Sequence, residues 1–189
     1  MSKIIAEITM SIDGFIAGPG ISKEQPMGEN GPLLHEWIFD KATTADRKWL
    51  EDLTNNAGAV ICGHHTYATA IDDAWDGACP FSVQTFVVCH STPPQLVQGF
   101  VYITTGIEGA LEQARAAAGD KNVWIMGGAN IIQQYLAARL VDELRLHIAP
   151  VLLGRGTRLF TDNDSQVTVL ENVEVVRTEG AVTGVWKLI

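Results

Sequence analysis

The chain has 189 residues, of which 47% are hydrophobic and 19% are charged, a composition typical of a folded globular domain. Thirteen Lys and Arg residues against 22 Asp and Glu residues give a formal net charge of −9. Because polyanions bind clustered cations and these basic residues are scattered, we expect no nucleic-acid partner, and the lack of a long apolar run predicts no membrane span. Disordered, collagenous and disulfide-stapled classes are excluded by the same composition.

The sequence predicts one domain over residues 1–189, because no repeat, low-complexity tract or linker divides it. Cys62, Cys79 and Cys89 form no Cys-x-x-Cys pair, which indicates a reduced environment. Polar and acidic residues interrupt the apolar stretch at the amino terminus, so it lacks the core of a signal peptide. We therefore expect a cytoplasmic protein, in which the glycosylation sequon at residues 163–165 is a chance match.

Short β-branched runs alternate with helical patterns along the first 140 residues, which is typical of βαβ units around a parallel sheet. The predicted strands cover residues 3–10, 59–62, 85–89, 101–104 and 122–126, and the predicted helices cover residues 43–56, 107–118 and 128–138.

The first helix has the clearest start signal. Thr43 and Asp46 stand at capping-box spacing, and Ala45, Trp49 and Leu53 fall on one face. We therefore expect this helix to begin at residue 43 and to bury those three side chains.

After residue 140 the apolar period changes from helical to two. Leu144, Leu146 and Ile148 alternate with more polar residues, which predicts a half-exposed strand. Two further strands, at residues 174–178 and 182–188, leave no room for a crossover helix and must pair antiparallel. The predicted fold is α/β with three layers: a mostly parallel central sheet and an antiparallel C-terminal hairpin.

Two strand-to-helix turns stand where parallel α/β sheets bind ligands, at the carboxyl ends of strands. The stretch MGGAN at residues 126–130 has two glycines through which a ligand can approach the backbone, and the N–H groups of the following helix attract anions. The stretch GHHT at residues 63–66 follows another strand, and Thr66 is expected to cap a short helix. A purely structural tight turn is the alternative at residues 126–130.

A third strand ends in Cys89-His90-Ser91, so three strand ends meet at one edge and predict a dinucleotide cleft. A metal site is an alternative at the same edge, because soft ligands could come from Cys62, His64, His65, Cys89 and His90. We expect no metal site, because a cysteine inside an apolar strand is commonly a core residue. The Gly-x-Gly at residues 154–156 lacks a third glycine and a following helix, which indicates a turn.

Four blocks in order carry a resemblance to a known family: MSIDGFIAG at residues 10–18, GHHTY at 63–67, MGGAN at 126–130 and VDELRLHIAPVLLG at 141–154. With them the sequence resembles the dihydrofolate-reductase-like superfamily, most closely the reductase domain at the C-terminus of the bifunctional riboflavin-biosynthesis deaminase-reductase, which also occurs alone. The resemblance covers nearly the whole chain. It implies an NADPH-dependent reductase of a small-molecule substrate, and a homodimer.

The resemblance also implies where the cofactor binds, across the carboxyl edge of the sheet. The residues concerned are Ile16 and Ala17 at the nicotinamide, Gly63, His64, His65 and Thr66 at the adenine-side phosphates, Cys89, His90 and Ser91 at the adenosine, and Gly127, Gly128 and Ala129 at the pyrophosphate, with Asn130 as a further cofactor-binding residue. NADH stays open as an alternative, because His90 is the one possible cation at the adenosine end.

Hydride transfer to a C=N or C=O carbon is the reaction that such a cofactor brings. Asp13, Glu36 and His147 are the candidates for the proton source. Each has a structural alternative: Asp-Gly is a common turn pair, a carboxylate is often solvated, and a lone strand histidine is often a hydrogen-bonded core residue.

The substrate implied by the resemblance is 5-amino-6-(5-phosphoribosylamino)uracil of riboflavin biosynthesis. Its phosphate needs cations, and the sequence offers Lys23, Arg155 and Arg158 singly. A reductase of another small carbonyl or imine, a non-catalytic nucleotide-binding module and a zinc-stabilised interaction domain are the alternative functions.

Overall fold

The computed structural model describes residues 2–72, 74–161 and 167–189, so the sequon at residues 163–165 lies outside the described residues. The elements in chain order are β1 (Ile4–Ser11), β2 (Phe15–Ala17), a 3-10 helix (Gly31–His35), α1 (Thr44–Asn56), β3 (Ala57–Gly63), α2 (His64–Ala70), β4 (Gln84–Val88), β5 (Phe100–Ile103), α3 (Gly106–Ala118), β6 (Asn122–Gly127), α4 (Ala129–Ala137), β7 (Glu143–Ala149), β8 (Thr157–Arg158), β9 (Leu170–Arg177) and β10 (Val182–Leu188).

Eight strands form one sheet in the order β5-β4-β3-β6-β1-β7-β10-β9. The pairs from β5 through β7 are parallel, whereas β10 pairs antiparallel with β7 and with β9. The predicted mostly parallel sheet with an antiparallel C-terminal hairpin is therefore confirmed. Strands β2 and β8 form a separate antiparallel pair beside it.

The two faces of the sheet differ because successive strand residues point to opposite sides. Ile4, Ala6, Ile61 and Ile125 belong to one aliphatic cluster with residues of α3 and α4, such as Ala114. The opposite face is covered by α2, whose Tyr67 packs with Cys62, and by α1, whose Trp49 reaches Glu7 on β1. Helices thus cover both faces, which gives the predicted three layers.

Strand β7 differs from its predicted half-exposed state. Its polar side is buried as well, with Glu143 3% and His147 4% exposed. The strand lies between β1 and β10, and Trp37 and Trp49 cover His147. A period of two reveals that a strand has two unlike faces, but it does not reveal whether the polar face is covered.

Helix α1 begins as predicted and packs differently. Thr43 and Asp46 form a complete capping box, in which the Asp46 backbone N–H donates to the Thr43 hydroxyl and the Thr43 backbone N–H donates to the Asp46 carboxylate. Asp46 and Leu53 are buried, Trp49 is half-buried and Ala45 is exposed, so the expected burial of Ala45 is wrong. The capping box holds the Asp46 side chain on the buried side of the first turn, so the preceding residue, Ala45, faces solvent.

We predict that Thr43→Ala lowers the free energy of unfolding by about 1 kcal/mol, the usual loss when an N-cap hydroxyl is removed. Thr44→Ala is the matched control, because Thr44 is the exposed first residue of the same helix. Urea unfolding of the three proteins measures the effect. Equal losses in both variants would show that the hydroxyl of Thr43 is not the stabilising group.

Candidate functional site

A cleft of about 430 Å³ opens at the carboxyl ends of β1 and β6 and runs inward beneath the 3-10 helix and α1. Its outer edge is the turn after β6. Gly127 has φ +131°, a conformation that side chains rarely adopt, and a Cβ there would lie 3.2 Å from Ile8 Cδ1. A Cβ on Gly128 would lie 3.2 Å from Thr66 Oγ1. The two glycines therefore keep side chains out of the space between this turn, Ile8 and Thr66 at the edge of the cleft.

The cleft brings together about half of the site residues expected from the sequence. Those that line it are Ile16, Ala17, His65, Thr66, Gly127, Gly128, Ala129 and His147. Those outside its described lining are Asp13, Glu36, Gly63, His64, Cys89, His90, Ser91 and Asn130.

The residues after β3 have packing roles that the sequence does not show. A Cβ on Gly63 would meet Ile131 Cγ1 at 2.7 Å, so this glycine permits the close approach of α4 to β3. Helix α2 begins at His64 with Gly63 as its N-cap, and the expected capping role of Thr66 is therefore wrong. Thr66 is instead the third residue of the helix, where its side chain reaches the cleft.

Asp13 holds a loop. Its carboxylate accepts hydrogen bonds from the Ser11 hydroxyl at 2.6 Å and from the backbone N–H groups of Leu153 at 3.1 Å and Gly154 at 2.7 Å. The Ser11 hydroxyl, more than the backbone donors, lowers the pKa of Asp13 below its ordinary value. These contacts favour a structural role that joins the turn after β1 to the loop after β7.

Glu36 is half-buried outside the described lining of the cleft and forms an ion pair with Lys41. The pair raises the pKa of Lys41 above its ordinary value, chiefly through the hydrogen bond. The ion pair of Glu36 therefore stays within the segment that follows the 3-10 helix.

His147 lies on the floor of the cleft and shares a hydrogen-bonded network with Glu7. Its Nε2 is 2.9 Å from Glu7 Oε1, and its Nδ1 is 2.7 Å from the Thr183 hydroxyl. An ionised carboxylate only accepts, so we assign Nε2–H as the donor to Glu7 and the Thr183 hydroxyl as the donor to Nδ1. Trp49 Nε1 also donates to Glu7 Oε1, at 2.7 Å.

Glu7, Thr9, Trp37, Trp49 and Trp124 line the cleft and were not singled out from the sequence as site residues. A usable signal exists for Glu7, which is the one charged residue in the sequence of strand β1. Glu143, Arg145 and His147 repeat the pattern at period two on β7. Both polar rows lie on the same sheet face because β1 and β7 pair in register, with Glu7 opposite Arg145.

The arrangement of possible metal ligands bears on the alternative of a metal site. No group of three or more His, Cys, Asp or Glu side chains able to hold a metal occurs within residues 2–72, 74–161 and 167–189. Cys62 is fully buried in β3, and burial raises the pKa of its thiol. Its surroundings are those of a core residue.

The family model for the RibD C-terminal domain matches residues 2–183, nearly the whole chain. This chain belongs to the RibD C-terminal domain family. Membership supports a reductase-type function. The Bacillus subtilis strain 168 protein YyaP is 24% identical over 201 residues, covering 99% of this chain and 93% of that protein.

Two solved structures share the fold of this RibD C-terminal domain protein. A protein from Shewanella sp. PV-4 provisionally assigned to riboflavin biosynthesis superposes with a TM-score of 0.76 at 20% identity, covering 99% of each chain. Dihydrofolate reductase from Enterococcus faecalis, complexed with NADP(H) and RAB-propyl, superposes with a TM-score of 0.65 at 16% identity, covering 98% of this chain and 96% of that one. The fold is therefore dihydrofolate-reductase-like.

His35 borders the inner part of the cleft, and burial lowers its pKa from the ordinary 6.5 to about 4, with His147 nearby as a second cause. Above both values His35 is neutral in the folded and unfolded chains and contributes no pH dependence. Between them the unfolded chain binds a proton that the folded protein does not. The free energy of unfolding therefore falls as pH falls through this window.

We predict that His35→Gln reduces the loss of stability between about pH 7.5 and about pH 5, because the buried titrating group is gone. Urea unfolding at both pH values measures the difference. His90→Gln, at an exposed position, is the control and retains the wild-type dependence. An unchanged dependence in His35→Gln would contradict the assignment.

Proposed function

We propose that this RibD C-terminal domain protein is an NADPH-dependent reductase that delivers hydride to a C=N or C=O carbon of a small-molecule substrate. The observation that carries the proposal is the continuity of one cleft. Its outer edge is the glycine turn Gly127-Gly128, and its floor holds the hydrogen-bonded pair Glu7 and His147. The proposed dinucleotide-binding turn and the proposed proton source thus line the same cleft.

The residues present fit the cofactor. Gly127 and Gly128 keep side chains away from the start of α4, where free N–H groups would favour a phosphate. Ile16 and Ala17 line the same cleft and would hold the nicotinamide end. When bound, NADPH supplies the hydride and leaves as NADP⁺.

The chain itself has to orient the substrate and supply a proton. The new C–H bond moves the electron pair of the C=N or C=O bond onto the nitrogen or oxygen, which then takes a proton. We assign the delivery to the Glu7–His147 pair on the cleft floor, which takes up one proton from solvent and passes it to that nitrogen or oxygen, so that His147 returns to its neutral form with Nε2–H donated to Glu7. Thr183 holds the other ring nitrogen and sets the orientation of the imidazole.

Nucleotide titration followed by an oxidation screen tests the proposed activity. Trp37, Trp49 and Trp124 line the cleft and serve as fluorescence reporters for NADPH and, in parallel, NADH. The screen follows loss of nicotinamide absorbance with 5-amino-6-(5-phosphoribosylamino)uracil, its dephosphorylated form, dihydrofolate and small carbonyls and imines. Binding without oxidation of any compound would support a nucleotide-binding module instead, and no binding of either nucleotide would refute the cofactor.

We predict that Gly128→Val weakens nucleotide binding at least about tenfold, because the new side chain projects toward Thr66 across the cleft edge. The fluorescence titration measures this change. The control is Ala137→Val, which places a β-branched side chain at an exposed position of α4, the helix that Gly128 caps. We expect its affinity to be unchanged. Wild-type affinity in Gly128→Val would remove this turn from the cofactor site.

We predict that His147→Gln lowers turnover of a responsive substrate about 100-fold or more, the usual effect of losing a positioned proton donor. Asp13→Asn is the comparison, with turnover close to wild type, because Asp13 lies outside the described lining of the cleft. Steady-state kinetics give both values. The reverse ranking would assign the proton source to Asp13, as the sequence also allows.

The cytoplasmic location, the homodimer and the selectivity for NADPH over NADH are predictions from the sequence. Among the described residues, no helix is both long and apolar enough to span a membrane.

A further inference from the structure

The inner end of the cleft has flat walls and a polar floor. We call it the ring chamber and define it by Glu7, Thr9, Trp37, Trp49 and His147, which all line the cleft. Trp37 stacks on His147 with ring centroids 4.4 Å apart, and Trp49 meets His147 edge-on at 5.8 Å. Trp37 Nε1 donates to the Thr9 hydroxyl at 3.2 Å. Aromatic walls around a few polar groups suit a planar ring.

The charge of the chamber is unfavourable for an anion. Histidines aside, Glu7 is the one ionisable side chain in the described lining, which contains no Lys or Arg. Arg145 approaches Glu7 from outside the lining, with Nη1 at 3.4 Å from Oε2, and donates to Glu143 at 2.8 Å. Lys3 pairs with Glu143 as well. Two cations and two carboxylates leave this network with no excess positive charge.

The rim of the cleft offers little more to a phosphate. Three basic side chains on bordering segments already pair with carboxylates, and they include two of the expected phosphate receivers. The pairs are Lys23 with Asp72 at 2.9 Å, Arg155 with Glu29 at 2.8 Å, and Lys41 with Glu36. The third expected receiver, Arg158, lies over the Phe15 ring at 4.3 Å and donates to the Asp13 carbonyl.

Two buried polar atoms of the cleft lining have no hydrogen-bond partner in the described part of the chain. They are Trp124 Nε1, which can only donate, and His35 Nδ1. Within the described residues, Glu7 Oε2 has one hydrogen-bond partner, Arg145 Nη1 at 3.4 Å, and it retains capacity to accept another. Buried polar groups are normally paired, and Glu7 Oε2 is the acceptor in the ring chamber with which a ligand N–H would pair.

We propose that the substrate is a planar, uncharged nitrogen heterocycle without a phosphate group, and that Glu7 determines this specificity. The Glu7 carboxylate accepts a hydrogen bond from a ring N–H, and its charge repels a phosphorylated compound. The proposal rests on the proposed reductase function for the reaction, but binding of the ring to the chamber does not depend on hydride transfer.

A matched pair of compounds separates the two substrate classes. 5-Amino-6-(ribosylamino)uracil and its 5′-phosphate differ in the phosphate alone, and their binding to the full chain is measured by tryptophan fluorescence without nucleotide. We expect the dephosphorylated compound to bind at least about tenfold more tightly. Equal or tighter binding of the phosphate, or no binding of either compound, would overturn the proposal. Because nucleotide is absent, failure of the reductase function is a separate result.

Two variants of the same charge network locate the origin of the preference. Glu7→Gln and Glu143→Gln each remove one negative charge, but Glu7 lines the cleft and Glu143 lies outside its described lining. We expect the affinity ratio of the two compounds to approach one in Glu7→Gln and to stay near wild type in Glu143→Gln. Equal loss of the ratio in both variants would contradict a direct role for Glu7.

Salt gives a measurement that needs no variant and so does not depend on the folding of Glu7→Gln. A preference caused by charge shrinks as ionic strength rises, although less steeply where the charge is buried, as that of Glu7 is. We expect the wild-type ratio to decrease between low and high salt. A ratio that salt leaves unchanged would point to shape, rather than to Glu7, as its cause.

Discussion

A carboxylate buried inside a central strand is the constraint on which the site depends. Glu7 is 3% exposed, and a charge removed from water destabilises the fold unless partners replace its hydration. The indole N–H of Trp49, the imidazole of His147 and the guanidinium of Arg145 provide those partners. They come from α1 and β7, so satisfying one charge also fixes the position of a helix and a strand around the cleft.

The two faces of the sheet differ in composition, one being aliphatic and the other carrying the polar residues of the cleft. On one face the aliphatic side chains of β1, β3 and β6 pack against α3 and α4. On the other face β1 and β7 present polar rows, which Trp49 of α1 and Trp37, two residues after the 3-10 helix, cover. Because the aliphatic layer holds the strands, the opposite face tolerates buried groups that have no hydrogen-bond partner in the described part of the chain, such as Trp124 Nε1.

Local patterns predicted the elements well and the side-chain environments less well. The capping box at Thr43 and the C-terminal hairpin follow from short-range spacing, and both are present. The glycine turn at Gly127 also follows from a strand and a helix that meet there, and it borders the cleft. The predicted exposure of the polar side of β7 is wrong, because the covering residue Trp37 lies more than a hundred positions away.

The sequence by itself determined the family, the alternation of strands and helices and the antiparallel C-terminal hairpin, since each depends on neighbouring residues or on ordered motifs. Only the tertiary structure decided which polar groups share the cleft. It placed Glu7 beside His147, and Asp13 in a loop-binding role. The physical reason is register: parallel pairing of β1 with β7 sets distant side chains on one face, and no local pattern encodes that pairing.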